Sequence, residues 1–344
     1  MMCDAKIKRI AAFSKYLAYD VGGAEKSTLA LLNEQQSDKK AKITIVSQAN
    51  AKFLSGSPSL TEMKINAELV FLQGGVQFSR FPFYEYLLNR GRIINWFSSL
   101  DADELWTYGV YSPAAMLGFK GKVRYFVRSE TDLGIVANYF NGLKRTLKTA
   151  YTAVEWPAIK LHQNDLRESL RRATVVANSK YMSTRVRERF GIDASVIYPM
   201  VDVSSFRREL AATQVEQTWV VFVGDSIVKG LQHVLAAAKL LPQLQFRIFS
   251  RFVQDDKHVG NILWSPWQKE SWRVYSGARL VIVPSQWEEA YGRVARESYL
   301  LGLPTLVSNV GGLPEAVDGN SCCLVDDYRR VESWVDAIVR TLNV

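Results

Sequence analysis

Apolar and polar positions alternate along this chain in two registers. Short runs dense in Val, Ile, Leu and Phe sit at 8–13, 43–47, 69–72, 105–108, 125–128 and 175–177, and again at 219–223, 245–249, 280–283 and 305–308. The stretches between them carry helical periodicity. Strand-length apolar runs alternating with helices predict α/β layers with parallel sheets. Between the two groups lies VDVSSFRRELAATQVEQT, polar and turn-rich, which places a linker over 202–218. The expected domains are therefore 1–205 and 206–344. Two doubly wound domains facing each other put a cleft between their strand ends. No internal repeat or low-complexity tract interrupts this pattern.

The run PSQWEEAYGRVARESYLLGLPTLVSNVGGLPE is the most informative stretch. A strand enters it at 280–283, Tyr291-Gly292 breaks the chain, a helix follows, and a second strand runs over 304–308. Strand, glycine turn, helix and strand in that order bring a helix N-terminus to the carboxyl edge of a parallel sheet. Backbone N–H groups and the helix dipole favour a phosphate there. Glu289 precedes the helix and Glu297 lies about one and a half turns inside it, so the two carboxylates can face opposite ends of one ligand.

Composition narrows the setting. At 344 residues, 48% apolar and 22% charged, the chain has room for two ordinary soluble domains. No apolar run approaches the length of a membrane span, and MMCDAKIKRIAAF is too short in apolar residues for a signal peptide. Cys3, Cys322 and Cys323 make no disulfide framework, which points to a reducing cytoplasm. Three histidines without cysteine partners at ligand spacing argue against a structural zinc site. The net charge of +9 is uneven: residues 1–205 hold 28 Lys and Arg against 19 Asp and Glu, whereas 206–344 hold 15 of each. Within 139–172, Lys144, Arg145, Lys148, Lys160, Arg167, Arg171 and Arg172 mix with Tyr151 and Trp156. Such a stretch suits an anionic membrane surface or is a solvated basic face. No nucleic-acid-binding motif accompanies it, so nucleic acid is not an expected partner.

Several further groups carry candidate chemistry. Lys229 and Gly224 lie in GDSIVKG, just after a strand. Gly22-Gly23 open a helix, another phosphate-friendly arrangement or an ordinary turn. The string GGAEKST is not a phosphate loop, because Glu25 stands where G-x-x-x-x-G-K-[ST] needs glycine, and G-x-G-x-x-G follows none of the strands. Asp101-Ala102-Asp103 spells a metal-binding DxD but precedes a strand in the first half, where aspartates cap turns. No metal or other cofactor is expected. After the strand at 125–128, Glu130 or Asp132 is placed to bind an acceptor hydroxyl or to pair with Arg128.

With its Tyr-Gly pair and the trailing VSNVGGLPE, the E-x7-E motif resembles the family 4 retaining glycosyltransferases. Looser likeness extends over 21–32, 173–202 and 219–241, and is weakest over 48–100. The resemblance implies the GT-B fold, an α/β architecture of two Rossmann-like doubly wound domains facing a central cleft, acceptor in the first and nucleotide-sugar donor in the second. It implies that Glu289 contacts the donor sugar, Glu297 the ribose hydroxyls, and Gly292-Arg293-Val294, with Tyr291 beside them, the diphosphate. Lys229 matches a diphosphate-binding lysine. The arginine that usually accompanies it falls at Asp225, which leaves Arg251 and Arg293 to supply the charge. At the place of a family histidine stands Arg128.

The expected function is thus metal-independent, retaining transfer of a hexose from a nucleotide-diphosphate sugar to a saccharide or lipid-linked acceptor, as in the making of a surface glycan or glycolipid precursor. The chain is expected in the cytoplasm, peripheral to the inner face of the cell membrane. Glu289, Lys229 and Glu130 are its catalytic candidates, and Gly22, Gly23, Gly224 and Arg251 join the donor-binding set. Alternatives are a nucleotide-sugar epimerase of the same fold and a non-catalytic nucleotide-sugar-binding subunit.

Overall fold

The structure, a computed structural model, describes residues 7–19, 22–39, 41–48, 65–76, 81–135, 142–213 and 215–344. The chain divides into two compact units, Met1–Met200 and Val201–Val344.

In the first unit the strands are β1 (Arg9–Phe13), β2 (Lys42–Gln48), β3 (Ala67–Leu72), β4 (Glu104–Thr107), β5 (Lys122–Val127), β6 (Ala173–Ala177) and β7 (Ser195–Val196). They pair in the order β3-β2-β1-β4-β5-β6-β7, every pair parallel. The order reverses between β1 and β4, which is the switch point where doubly wound sheets open a crevice at their carboxyl ends. Four of the five residues of β1 are buried, because helices cover both faces of the sheet. That is why these strands read as continuous apolar runs. Ile10, Ala12, Ile43 and Ile45 pack on one face against Leu29 and Leu32 of the helix Gly23–Lys39. Local chemistry sets the helix ends: Ser179 accepts from the Met182 amide at 3.0 Å to start Lys180–Phe190, and Gly191 at φ +69° closes it.

The second unit has β8 (Trp219–Val223), β9 (Gln245–Ser250), β10 (Lys257–Val259), β11 (Ile262–Pro266), β12 (Ala278–Val283), β13 (Thr305–Ser308) and β14 (Leu324–Val325). Their order is β10-β11-β9-β8-β12-β13-β14, parallel except for β10 against β11. Here the switch point lies between β8 and β12. Trp334, Ala337 and Ile338 of the helix Val331–Leu342 pack with Val234, Ala237 and Ala238 of the helix Leu231–Leu240 over Val220, Phe222 and Ile282.

One sequence expectation needs correction. The polar stretch expected as a linker contains the helix Val203–Thr213. Its Phe206 and Leu210, four apart on one face, pack on the core of the second unit, with the Phe206 ring 6.2 Å from that of Tyr275. The charged residues around them mask this two-residue stripe. In addition, β7, β10, β11 and β14 carry no apolar run that marks them: β7 and β14 are two residues long, β10 is exposed, and β11 contains Trp, Ser and Pro.

Candidate active site

The loops after β8 and β12 meet at the switch point of the second unit. Val223 and Val283, which end those strands, line a cavity of about 140 Å³ together with Lys229, Ser285, Glu289, Gly292, Arg293 and Val294. The Lys229 Nζ donates to Glu289 Oε1 at 2.8 Å and lies 5.3 Å from the centre of the Trp287 ring. Ser285 Oγ donates to the same carboxylate oxygen. Glu289 is buried. Burial pushes its carboxyl up, but Lys229, Ser285 and Trp287 together outweigh burial and hold it below the ordinary glutamate value. Glu289 is therefore an anion at neutral pH, able only to accept hydrogen bonds.

Three glycines make this geometry possible. Gly230 has φ +89°, and a Cβ there would lie 2.0 Å from the Pro284 carbonyl oxygen. The Lys229 loop thus presses directly on the backbone leading to Glu289, a contact reinforced by the Gln286 amide donating to Val228 O at 2.8 Å. Gly311 and Gly312 close in from the other side. A Cβ on Gly311 would lie 2.5 Å from Glu289 O, and one on Gly312 would lie 2.3 Å from Ala290 O, while the Gly312 amide donates to Glu289 O at 2.7 Å. The paired glycines are a backbone support for the glutamate loop.

The helix Arg293–Leu300 starts at Gly292, whose φ is +96°, a conformation that side chains resist. No side chain caps that start. The cavity therefore borders the positive end of a helix dipole as well as the Lys229 ammonium. Glu297 is buried inside this helix. Its Oε1 accepts from Arg293 Nε and Nη2 at 3.1 and 2.8 Å, and its Oε2 from the Tyr275 hydroxyl at 2.7 Å. Burial, then the neighbouring Glu297 charge, push the Tyr275 phenol well above its usual value, so it remains the donor.

The structure brings Lys229, Glu289, Gly292, Arg293 and Val294 to one cavity and sets Glu297 behind Arg293. Tyr291 is buried in the core of the second unit. Gly224 follows β8, and a Cβ there would touch Phe222 and Lys229. Arg251 is turned to stack its guanidinium 4.7 Å from the Trp267 ring centre, and its amide donates to Asp225 at 3.4 Å.

The remaining candidates belong to the first unit. Gly22 precedes, and Gly23 begins, the helix Gly23–Lys39. Glu130 pairs with Arg185 at 3.6 Å. Asp132 accepts from the backbone amides of Gly109, Arg128 and Ser129 at 2.8, 2.8 and 2.9 Å, which makes it a loop brace. The Arg128 guanidinium packs on Tyr108 and Phe126 and donates to Ala24 O and Thr28 Oγ1, and its charge favours the Asp132 carboxylate. Both Asp101 and Asp103 bind Arg9 across the sheet edge. They clamp β1 to the start of β4. Side chains at 142–148, 150 and 151, which include Lys144, Arg145, Lys148 and Tyr151, lie outside the described residues.

Sequence reasoning missed Ser285, Trp287 and Tyr275. The first two stand within four residues of Glu289 at the end of a strand, a position that signals a site loop. Tyr275 carries no such signal, since it is 22 residues from Glu297 and meets it only through the fold.

Residues 217–343 match the family model described as glycosyl transferases group 1. The D-inositol 3-phosphate glycosyltransferase of Mycolicibacterium smegmatis is 32% identical over 195 residues, covering 49% of this chain and 44% of that protein. The chain thus spans less than half the length of that relative. Among solved structures, sucrose-phosphate synthase from Thermosynechococcus elongatus superposes with a TM-score of 0.70 at 16% identity, over 98% of this chain and 90% of that one. Anabaena HepE in complex with UDP and glucose gives 0.64 at 16% identity over 97% and 89%. UDP-GlcNAc 2-epimerase from Neisseria meningitidis bound to UDP-GlcNAc gives 0.59 at 14% over 98% and 92%. At these identities the likeness is one of fold. The chain has the GT-B fold, built from two doubly wound α/β units, and the match to the family model falls within the second of them.

Proposed function

We propose that this chain is a retaining glycosyltransferase that moves a hexose from a nucleoside-diphosphate sugar to an acceptor hydroxyl. The observation that carries the reading is the convergence of Lys229, Glu289 and the uncapped start of Arg293–Leu300 on one cavity at a switch point. Losing a nucleoside diphosphate while positive charge builds at the anomeric carbon is the costly step. A fixed ammonium and helix-start amides stabilise the departing oxygens without reorganising. Ionised Glu289 does not serve as a general acid. In this reading it orients the sugar by accepting from a hydroxyl at Oε2, the oxygen that carries neither the Lys229 nor the Ser285 bond. For retention, the acceptor oxygen attacks on the face the diphosphate leaves, and the leaving phosphate oxygen takes the acceptor proton. Glu297 holds the ribose.

No metal enters this scheme: Asp101 and Asp103, the metal-like motif of the sequence, are committed to Arg9. No helix among the described residues is long and apolar enough to cross a membrane. The reading includes a cytoplasmic location and an acceptor drawn from an anionic membrane surface, supported by the basic first half and by exposed Val154 and Trp156 on the helix Gly142–Leu170.

The test is to screen UDP-, GDP- and ADP-sugars for thermal stabilisation, then to incubate the best donor with saccharide and lipid-linked acceptors. Glycosylated acceptor that keeps the donor's anomeric configuration is the expected product. Epimerised donor without transfer supports the epimerase, and binding without turnover supports the non-catalytic subunit. Either outcome ends the transferase reading.

A further inference from the structure

We propose that Phe206 and Arg207, on the helix Val203–Thr213, are positioning residues for the nucleotide. They brace Tyr275 and the end of the helix that carries Glu297, so docking of Val203–Thr213 and binding of a nucleoside diphosphate strengthen each other. The inference rests on the reading of Glu297 as the ribose ligand, and its test separates the two.

The helix is short and weakly held. Asp202 caps it, with Oδ1 accepting from the Ser205 amide at 2.9 Å. It spans 11 residues, a length that is marginal in water without tertiary support, and no residue of it is buried. Its attachment to the second unit comes from one face, where Phe206 and Leu210 pack on the core. Elements with few buried contacts lie at the low end of local stability, where a modest gain at a neighbouring site shifts their docking.

That face meets the surroundings of Glu297 by two routes. The Phe206 ring lies 6.2 Å from the ring of Tyr275, and the Tyr275 hydroxyl, at the far end of the same side chain, donates to Glu297 Oε2 at 2.7 Å. Tyr275 and Glu297 are both buried, so bulk water does not replace a partner that either loses. By the second route, Arg207 Nη2 donates to Leu300 O at 2.9 Å. Leu300 ends the helix Arg293–Leu300, within a turn of Glu297. The last carbonyls of a helix have no partners inside it and favour a cation.

The chain that leaves Val203–Thr213 returns to the same place. The Thr218 and Trp219 amides both donate to Gly277 O at 3.0 Å, just after Tyr275. Gly277 has φ +73°, and a Cβ there would lie 3.1 Å from Val215 Cγ1 and from Glu216 O. The segment bearing Tyr275 is thus held by the helix and by the residues that follow it. Coupling between two such sites is reciprocal. A helix that biases Tyr275 and Glu297 toward a ribose is itself held down by a bound ribose. The diphosphate meets Lys229 and the start of Arg293–Leu300 in this reading, so loss of the brace falls chiefly on the ribose hydroxyls. A residue that only stabilised the second unit would lower its melting temperature and leave the choice between ribose and deoxyribose untouched.

The experiment takes whichever of UDP, GDP and ADP stabilises the wild-type chain most and compares its affinity, by calorimetry, with that of its 2′-deoxy form. The variants are Phe206→Leu, Arg207→Met, Glu297→Gln and, as a charge control, Arg208→Met at the exposed neighbouring position. Phe206→Leu and Arg207→Met are each expected to narrow the ribose preference about threefold, and Arg208→Met to leave it unchanged. In wild type, hydrogen exchange over 203–213 is expected to slow when the ribonucleotide binds and to slow less with the deoxy form, a readout that needs no variant to fold. The positioning role is refuted, and the ribose reading stands, if Glu297→Gln narrows the preference while Phe206→Leu and Arg207→Met keep it. It is equally refuted if exchange over 203–213 ignores the bound nucleotide. If Glu297→Gln also keeps the preference, or no nucleoside diphosphate binds, the ribose reading fails and the positioning role fails with it.

Discussion

The carboxyl edges of the two sheets share a topology and differ in chemistry. Each sits where the strand order reverses beside the first strand of its sheet. At the second-unit edge, Lys229 reaches a carboxylate beside an uncapped helix start. At the first-unit edge, charged groups are engaged internally: Arg128 holds the first turn of Gly23–Lys39, Lys15 meets buried Glu85, and Asp132 accepts from three backbone amides. Lysine pairs with a buried glutamate at both edges; at the second, the cavity also borders the Gly292 helix start, whose dipole favours an anion. Topology set where the two switch points lie, and loop residues set the chemistry at each.

The comparison breaks most readily at Glu289. Glu289→Ala is expected to lower kcat about a hundredfold, the order of loss seen when one preorganised contact in a reacting site is removed, while UDP binding falls little. A variant with wild-type turnover would show that the second edge does not orient the sugar.

Next in size is Lys229→Met, which should weaken nucleoside-diphosphate binding by about 2 kcal/mol, as for a lost bond to a charged group. It also carries a pH signature. The Glu289 value is lowered in the fold, so its stabilising contribution is present above the ordinary carboxylate value and is lost as pH falls through the lowered one. Without Lys229, burial is opposed only by Ser285 and Trp287. The acid limb of turnover should then move to higher pH, and an unmoved limb would mean that the ion pair does not control Glu289.

Tyr275→Phe keeps the ring and removes one bond to Glu297. About 1 kcal/mol of nucleoside-diphosphate affinity should go with it, and the preference for ribose over 2′-deoxyribose nucleotides should narrow. Calorimetry with UDP and dUDP checks both. If the preference is unchanged, Glu297 is a structural partner of Arg293 and not a ribose ligand.

The smallest effect is expected at Asp103→Asn, which loosens the Arg9 clamp at the other end of the first sheet. Melting temperature should fall slightly while turnover persists, with and without excess chelator. Turnover that chelator abolishes and magnesium restores would overturn the metal-free scheme.

Much of the fold could be read in advance because buried parallel strands declare themselves. Strands such as β1, β8 and β12 are covered on both faces, so nearly every position is apolar. Where burial is partial the signal fades: β10 is exposed throughout, and Val203–Thr213 shows only Phe206 and Leu210 to the core. The site behaved likewise. Glu289, Gly292 and Glu297 lie close together in sequence on one strand–turn–helix unit, and local rules place them. Asp101-Ala102-Asp103 shows the limit of local rules, since aspartates read as turn caps also clamp Arg9, a role that exists only because β1 lies alongside β4.

The sequence by itself determined the parallel α/β layers, the helix start beyond β12 and the presence of two carboxylates there, because these depend on periodicity and on neighbours a few residues away. Only the tertiary structure decided the partners of those carboxylates. Lys229 is 60 residues from Glu289, and Tyr275 is 22 from Glu297. The two glycines at 311 and 312 acquire their purpose when their bare backbone meets that of Glu289 and Ala290. Charge state, burial and hydrogen-bond partners arise from distances in space, and in this chain the strands and helices between set those distances.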